Sequence, residues 1–213
     1  MTDYLSLPPD NFRKLDWIEE VVRSITPEEN DGQVMVAGGA FKNALTEGAE
    51  VKDLDIFCLN QNAFDGVIEQ ATGEIGEPIY ATEKSTGFKT EDGVRLDIVK
   101  TIFGTPEEIL DSFDFTVTQM ALTPLPANDD GKETFRLICH PAFFEHLHMK
   151  RLVIESDSLP FPLSTFERSY RYTKYGYGIC KDSKVRLLTQ IAAHKPGDIS
   201  LEAMSQSLYD GMD

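Results

Sequence analysis

The sequence predicts an α+β fold in which helices pack against a mixed β-sheet, followed by a small helical C-terminal region. Three observations carry this reading. The apolar run Val34 to Ala37 ends in Gly38-Gly39 and leads into good helix formers, so strand, sharp turn and helix follow one another. Asp92-Gly93 stands between two strand-like segments, Ile79 to Phe88 and Val94 to Ile102, a strong hairpin signal. From Leu163 onward the pattern turns helical. The organisation expected is one domain over residues 1–160 and a helical region over 161–213.

Taken in order, Pro8-Pro9-Asp10 introduces a helix with Asp10 at its N-cap and Ile18, Val21, Val22 and Ile25 at helical spacing. Thr26 to Gly32 reads as a loop, and Val34 to Ala37 as a strand. Ala40 to Glu47 reads as a helix capped by Gly48, and the segment after Lys52 as a second strand. Ala63 to Ala71 is helical, with Phe64, Val67 and Ile68 on one side. The hairpin follows, and then Thr105-Pro106-Glu107-Glu108, a capping-box signature.

Phe113 to Leu122 is strand-like, Leu125 to Lys132 a loop, and Glu133 to Cys139 a strand. A helix on the surface starts at Pro141; its neighbours His140, His146 and His148 lack the spacing of a zinc site. Arg151 to Glu155 is a short strand, and Ser164 or Thr165 caps the next helix. On it Arg168, Arg171, Tyr172 and Tyr175 form one face, which either holds an anion or covers the sheet. Helices at Lys181 to His194 and Leu201 to Leu208 flank Pro196-Gly197.

The chemistry concentrates between Val34 and Asn60. A helix that begins at a glycine turn offers amide hydrogens and the positive end of its dipole to an anion, phosphate above all. Asp53 and Asp55 are separated by one residue and share a face of the strand, while Leu54 and Ile56 point the other way. Two readings fit the pair: a solvated acidic start to a strand, or a site for a divalent cation that relieves the repulsion. The glycine pair upstream favours the second. Asp97 projects from the otherwise apolar Val94 to Val99 and fits either a surface position or the same site.

Gly38-Gly39, a short helix and then Lys52-Asp53-Leu54-Asp55-Ile56 resemble the signature of the DNA polymerase beta superfamily of nucleotidyltransferases. Within it, the pattern is similar to the head domain of CCA-adding enzymes and bacterial poly(A) polymerases. Two later segments extend the resemblance: the strand carrying Asp97, where the superfamily often places its third metal ligand, and Asp114-Phe115-Thr116-Val117. The match covers residues 34–122 and, by character alone, the helix near 163–178. Lys42-Asn43 and Ser112-Phe113 stand where the CCA-adding family carries Arg-Asp and an arginine.

The resemblance implies a polymerase-beta-like nucleotidyltransferase fold in which Asp53, Asp55 and Asp97 are catalytic and hold two Mg²⁺ ions. It implies that Gly38, Gly39, Lys52, Arg168 and Arg171 bind an NTP, whose nucleoside monophosphate passes to a hydroxyl. The acceptor it suggests is a tRNA-like RNA 3′ end; a protein, a small molecule, or a non-catalytic nucleotide-binding relative are the alternatives.

A net charge of −16 argues against a broad basic surface for non-specific nucleic-acid binding, though not against a local basic cleft. Cys58, Cys139 and Cys180 form an odd set without a Cys-x-x-Cys, as expected of buried thiols in a reducing cytoplasm with no disulfides. No apolar run is long enough to span a bilayer, and the N-terminus lacks a basic region followed by an apolar one, so a cytoplasmic protein is expected.

Overall fold

Largely apolar strands, buried along their length at Val34–Ala37 and most of Met120–Leu125, build a central sheet, seen in a computed structural model that describes residues 2–127 and 134–193. The chain divides into two compact units: residues 1–113 with 118–143, and residues 114–117 with the chain from 144 on. The α+β class expected from the sequence is the class observed.

The first unit contains β1 (Leu5–Leu7), α1 (Asp16–Ser24), β2 (Val34–Ala37), α2 (Gly39–Ala44), β3 (Asp53–Cys58), α3 (Gln61–Glu74), β4 (Tyr80–Ala81), β5 (Ser85–Lys89), β6 (Arg95–Phe103), α4 (Pro106–Asp111), β7 (Met120–Leu125) and β8 (Thr134–Cys139). Its sheet has eight strands in the order β1-β8-β7-β2-β3-β6-β5-β4. Among these pairs only β3 and β6 run parallel. α1 packs on β2 and β7, and α3 on β3 and β6. Leu15, Ile18, Val22 and Val67 on the helical side and Leu54, Ile56, Leu96 and Ile98 on the sheet are all buried.

The opposite face is covered in part by α4, whose Ile109 and Leu110 pack with Met35, Ala37, Phe57, Ala121 and Ile138. The capping box forms as the sequence predicts: Thr105 Oγ1 accepts the Glu108 amide at 3.3 Å, and the Glu108 carboxylate accepts the Thr105 amide at 2.9 Å. The Thr90–Gly93 hairpin turn forms too, with Gly93 at φ 87°.

Several local expectations are corrected. The segment after Pro8 opens as a 3₁₀ helix, Pro9–Leu15, kinked at Phe12 where the backbone leaves helical angles, and neither it nor α1 has a side-chain cap. β1 has too few residues to give a periodic signal, and its pairing with β8 supplies the order. Ile79 to Phe88 is two strands, because a turn through Thr82 and Ser85 folds β4 back on β5. Phe113 to Val117 is not a strand, and β7 starts only at Met120. Residues 128–133, which include Glu133, and residues 194–213, which include the expected helix Leu201 to Leu208, lie outside the described residues.

The second unit holds α5 (Phe143–His148, its first residue in the other unit), β9 (Arg151–Leu152), α6 (Pro162–Tyr172), β10 (Gly178–Ile179) and α7 (Lys181–Ala193). β9 and β10 pair in parallel, and Phe115, Val117, Leu152, Ile154, Leu159, Tyr177 and Leu187 form its core. Of the three histidines His148 is exposed, while His140 and His146 are buried, with His140 Nδ1 accepting the Ala142 amide and His146 Nδ1 bonded to the Thr116 hydroxyl at 2.7 Å. α6 begins at Pro162 without a side-chain cap, so neither Ser164 nor Thr165 plays that role. Among the described residues no helix is long and apolar enough to cross a membrane.

All three cysteines are free, and burial pushes the Cys58 thiol up to about 12 and the Cys139 thiol up to about 11. At pH 8 a thiol reagent should therefore modify Cys180 rapidly and leave Cys58 and Cys139 intact until the chain unfolds. Thr105→Ala should lower the free energy of unfolding by about 1 kcal/mol in a denaturant titration, the usual cost of losing an N-cap.

Candidate active site

Burial of Leu54 and Ile56 on one face of β3 forces Asp53 and Asp55 onto the other. β6 follows the same rule: Leu96 and Ile98 are buried and Asp97 points with Asp55. Because Asp55 stands directly opposite Asp97 in the parallel ladder, the two carboxylates are lateral neighbours on strands about 4.8 Å apart. Two like charges at about 5 Å repel by roughly 3 kcal/mol at an effective dielectric constant near 20.

The register continues this line across the whole sheet as Ser6, Ile138, Ala121, Ala37, Asp55, Asp97, Gly87 and Tyr80. Ile138, Ala121 and Ala37 lie under α4. Asp55 and Asp97 are the first residues of the row outside that apolar cover. Phe113 stands at the boundary, edge-on to Phe57 with ring centroids 5.8 Å apart.

Gly38 turns the chain from β2 into α2 with φ 105°, a left-handed backbone that favours glycine. A Cβ on Gly38 would lie 3.5 Å from Asp55 Oδ2 and 3.7 Å from the Phe113 ring, so the missing side chain leaves the approach to Asp55 open. The Gly38 amide is not directed outward; it donates to the Met120 carbonyl at 3.1 Å. Gly39 opens α2, whose first-turn amides have no acceptor within the helix. Lys42, on the same helix, is buried and donates to the Asn43 side chain. Lys52 is exposed, 3.9 Å from the Glu50 carboxylate.

Asp97 has two partners. Arg95 Nε donates to its Oδ2 at 3.1 Å, and the Tyr80 hydroxyl donates to its Oδ1. Burial, with the hydrogen bond and charge of Asp97, pushes the Tyr80 phenol up to about 12. Neither residue stands out in the sequence as a functional candidate. Two signals point to them: Arg95 and Asp97 are i and i+2 on one strand, and a glycine inside a strand pattern, Gly87, marks a close approach.

The structure thus gathers Gly38, Gly39, Asp53, Asp55 and Asp97 in the first unit. Arg168 and Arg171 belong to the second. Arg168 Nη1 is 3.3 Å from Asp114 Oδ2, and Asp114 Oδ1 is buried without a hydrogen-bond partner. Of the residues expected to share a face, Arg168, Arg171 and Tyr172 lie on α6, and Tyr175 lies beyond its end. α6 ends at Tyr172, whose ring packs edge-on against Phe115 and Tyr177 at 5.7 Å each, and burial raises its phenol pKa. Arg171 and Tyr175 are exposed.

Among the described residues no three His, Cys, Asp or Glu side chains converge as a preformed metal centre. A cleft bordered by Arg23, Glu28, Glu29, Glu69 and Glu74 contains none of the site residues.

The profile of the Gabija anti-defense 2 family matches residues 12–150. The chain belongs to the Gabija anti-defense 2 family. This Gabija anti-defense 2 protein also resembles solved nucleotidyltransferases. A CCA-adding enzyme with CTP superposes at TM-score 0.71 and 19% identity, over 98% of this chain and 51% of that one. The Thermotoga maritima CCA-adding enzyme complexed with tRNA gives 0.66 and 18%, over 98% and 50%. A tRNA nucleotidyltransferase with a primer tRNA and an ATP analogue gives 0.52 and 21%, over 75% and 47%. The chain spans about half the length of these solved chains, and at such identities the likeness establishes a nucleotidyltransferase-like fold. No curated protein matches it in sequence.

Arg168→Met strips the buried Asp114 carboxylate of its cation and should destabilise the protein by about 1–3 kcal/mol, the cost of an unsatisfied buried polar group. Adding Asp114→Asn to that variant should recover part of the loss in the same denaturant titration.

Proposed function

We infer that this Gabija anti-defense 2 protein is a nucleotidyltransferase that moves a nucleoside monophosphate from an NTP to a hydroxyl acceptor. The observation that supports this most is the lateral pairing of Asp55 with Asp97, beside Asp53 and behind the open Gly38. The donor set is all carboxylate oxygen, which fits Mg²⁺: such a cation takes one or two carboxylates and completes its shell with water and phosphate oxygens. Bound there, a pair of Mg²⁺ ions would neutralise the triphosphate and acidify the attacking hydroxyl.

Asp53 and Asp55 would hold the cations that face the triphosphate, and Asp97 would help hold one of them and take the proton of the acceptor hydroxyl. The Gly39 amide and its neighbours in the first turn of α2 bind phosphate oxygens. Gly38 contributes by its missing side chain, since its own amide is used within the sheet. Lys52, Arg168 and Arg171 stay in the proposal as further cations for the triphosphate, on the strength of the resemblance alone. The acceptor oxygen attacks the α-phosphorus in line, the α–β bridging bond breaks and pyrophosphate leaves. The reaction takes place in the cytoplasm, where NTPs are held.

The first acceptor proposed is a tRNA-like RNA 3′ end, a reading supported by the solved structures complexed with tRNA. A second reading takes a hydroxyl on a protein, or a small molecule, of the Gabija defence named in the family's description; the family match and the net charge of −16 favour it.

Incubation with each α-labelled NTP and Mg²⁺, with RNA and cell protein offered separately, distinguishes the two. Label is expected in one acceptor with wild type and in neither with Asp55→Asn, which removes a charge and little volume. Full transfer by a folded Asp55→Asn variant would refute the site.

A further inference from the structure

Tyr80 reaches Asp97 from the neighbour-but-one strand, and the sheet is built to let it. Tyr80 on β4 pairs with Gly87 on β5, and Gly87 pairs with Asp97 on β6. A Cβ at Gly87 would lie 2.2 Å from the Tyr80 ring, so any other residue would expel the ring from its place over the strand. Seated there, the ring carries its hydroxyl across Gly87 to Asp97 Oδ1. Arg95, on the same strand as Asp97, takes Oδ2 and stays half in solvent, with 47% of its side chain exposed against 14% for Asp97.

The two contacts therefore differ in kind. Arg95 is a mobile-ended cation at the surface, which a divalent cation can displace by charge alone. Tyr80 is neutral and held by a purpose-shaped gap in the next strand. We propose that Tyr80 is a positioning residue that fixes the Asp97 carboxylate through Oδ1 and leaves Oδ2 as the atom that meets a divalent cation, in exchange for Arg95. This rests on the assignment of Asp97 to the cation site. Hydrogen bonds that orient a ligating carboxylate commonly contribute 10–100-fold (~) in metal affinity.

Mn²⁺ binding to the whole protein, read from the electron paramagnetic resonance signal of free Mn²⁺, tests this without any need for turnover. Tyr80→Phe should weaken binding by about 10–100-fold. Gly87→Ala should do the same by displacing the ring, and the double variant should be no weaker than either single one, because both remove one contact. Arg95→Gln should bind more tightly, having lost a competing cation. Tyr80→Phe that binds as wild type does, or more tightly, overturns the proposal, as does a double variant in which the two losses add. Wild-type protein that binds no Mn²⁺, or binds it equally after Asp55→Asn, would instead bring down the cation site itself. Should Gly87→Ala fail to fold, the Tyr80→Phe and Arg95→Gln pair still decides.

Discussion

The structure turns on two carboxylates held side by side on adjacent parallel strands. Asp55 and Asp97 occupy matched positions in the β3–β6 ladder, and neither can pass to the other face without turning Leu54, Ile56, Leu96 and Ile98 out of the core. Like charges on neighbouring strands are eased by a positive partner. Here the visible answer for Asp97 is Arg95, an exposed side chain that water screens and that a more highly charged ion can replace.

Other features can be understood as consequences of that constraint. The apolar cover of α4 stops one row short, at Phe57 and Phe113, so the carboxylates meet solvent without a broad opening into the core. Gly38 keeps the space in front of Asp55 clear. Gly87 does the same beside Asp97, although there the space is filled by Tyr80. The register is itself required, because slipping β6 by one residue would turn Asp97 into the core and Leu96 out to solvent.

How much of this could be read from the residues depended on range. Asp53, Asp55 and the glycine turn lie within one strand-turn-helix-strand unit, and their shared face follows from a period of two. The capping box at Thr105 and the hairpin turn at Asp92-Gly93 are equally local. What the sequence could not carry was pairing across the sheet: that Tyr80 lies over Gly87, that Arg95 turns to Asp97, or that Leu5 to Leu7 adds an edge strand to β8. The misread positions share a cause as well. Tyr172 and His146 sit in amphipathic helical patterns, and each is drawn inward by a partner from residues 114–117, Phe115 for the tyrosine and Thr116 for the histidine. The cation at the position preceding Asp114 in the CCA-adding family is here Phe113, which packs instead with Phe57 and so adds no charge at the turn.

Location is the most direct test of the central claim that the Asp55–Asp97 row is a divalent-cation site. Fe²⁺ substituted for Mg²⁺ in the presence of ascorbate and peroxide releases hydroxyl radicals that cut the backbone next to the bound ion. Cuts are expected in three stretches distant in sequence, around Gly38, Asp55 and Asp97, with all three lost together in Asp55→Asn. Cuts that fall instead along the acidic cleft of Glu28, Glu29, Glu69 and Glu74, or cuts that persist unchanged in Asp55→Asn, would contradict it.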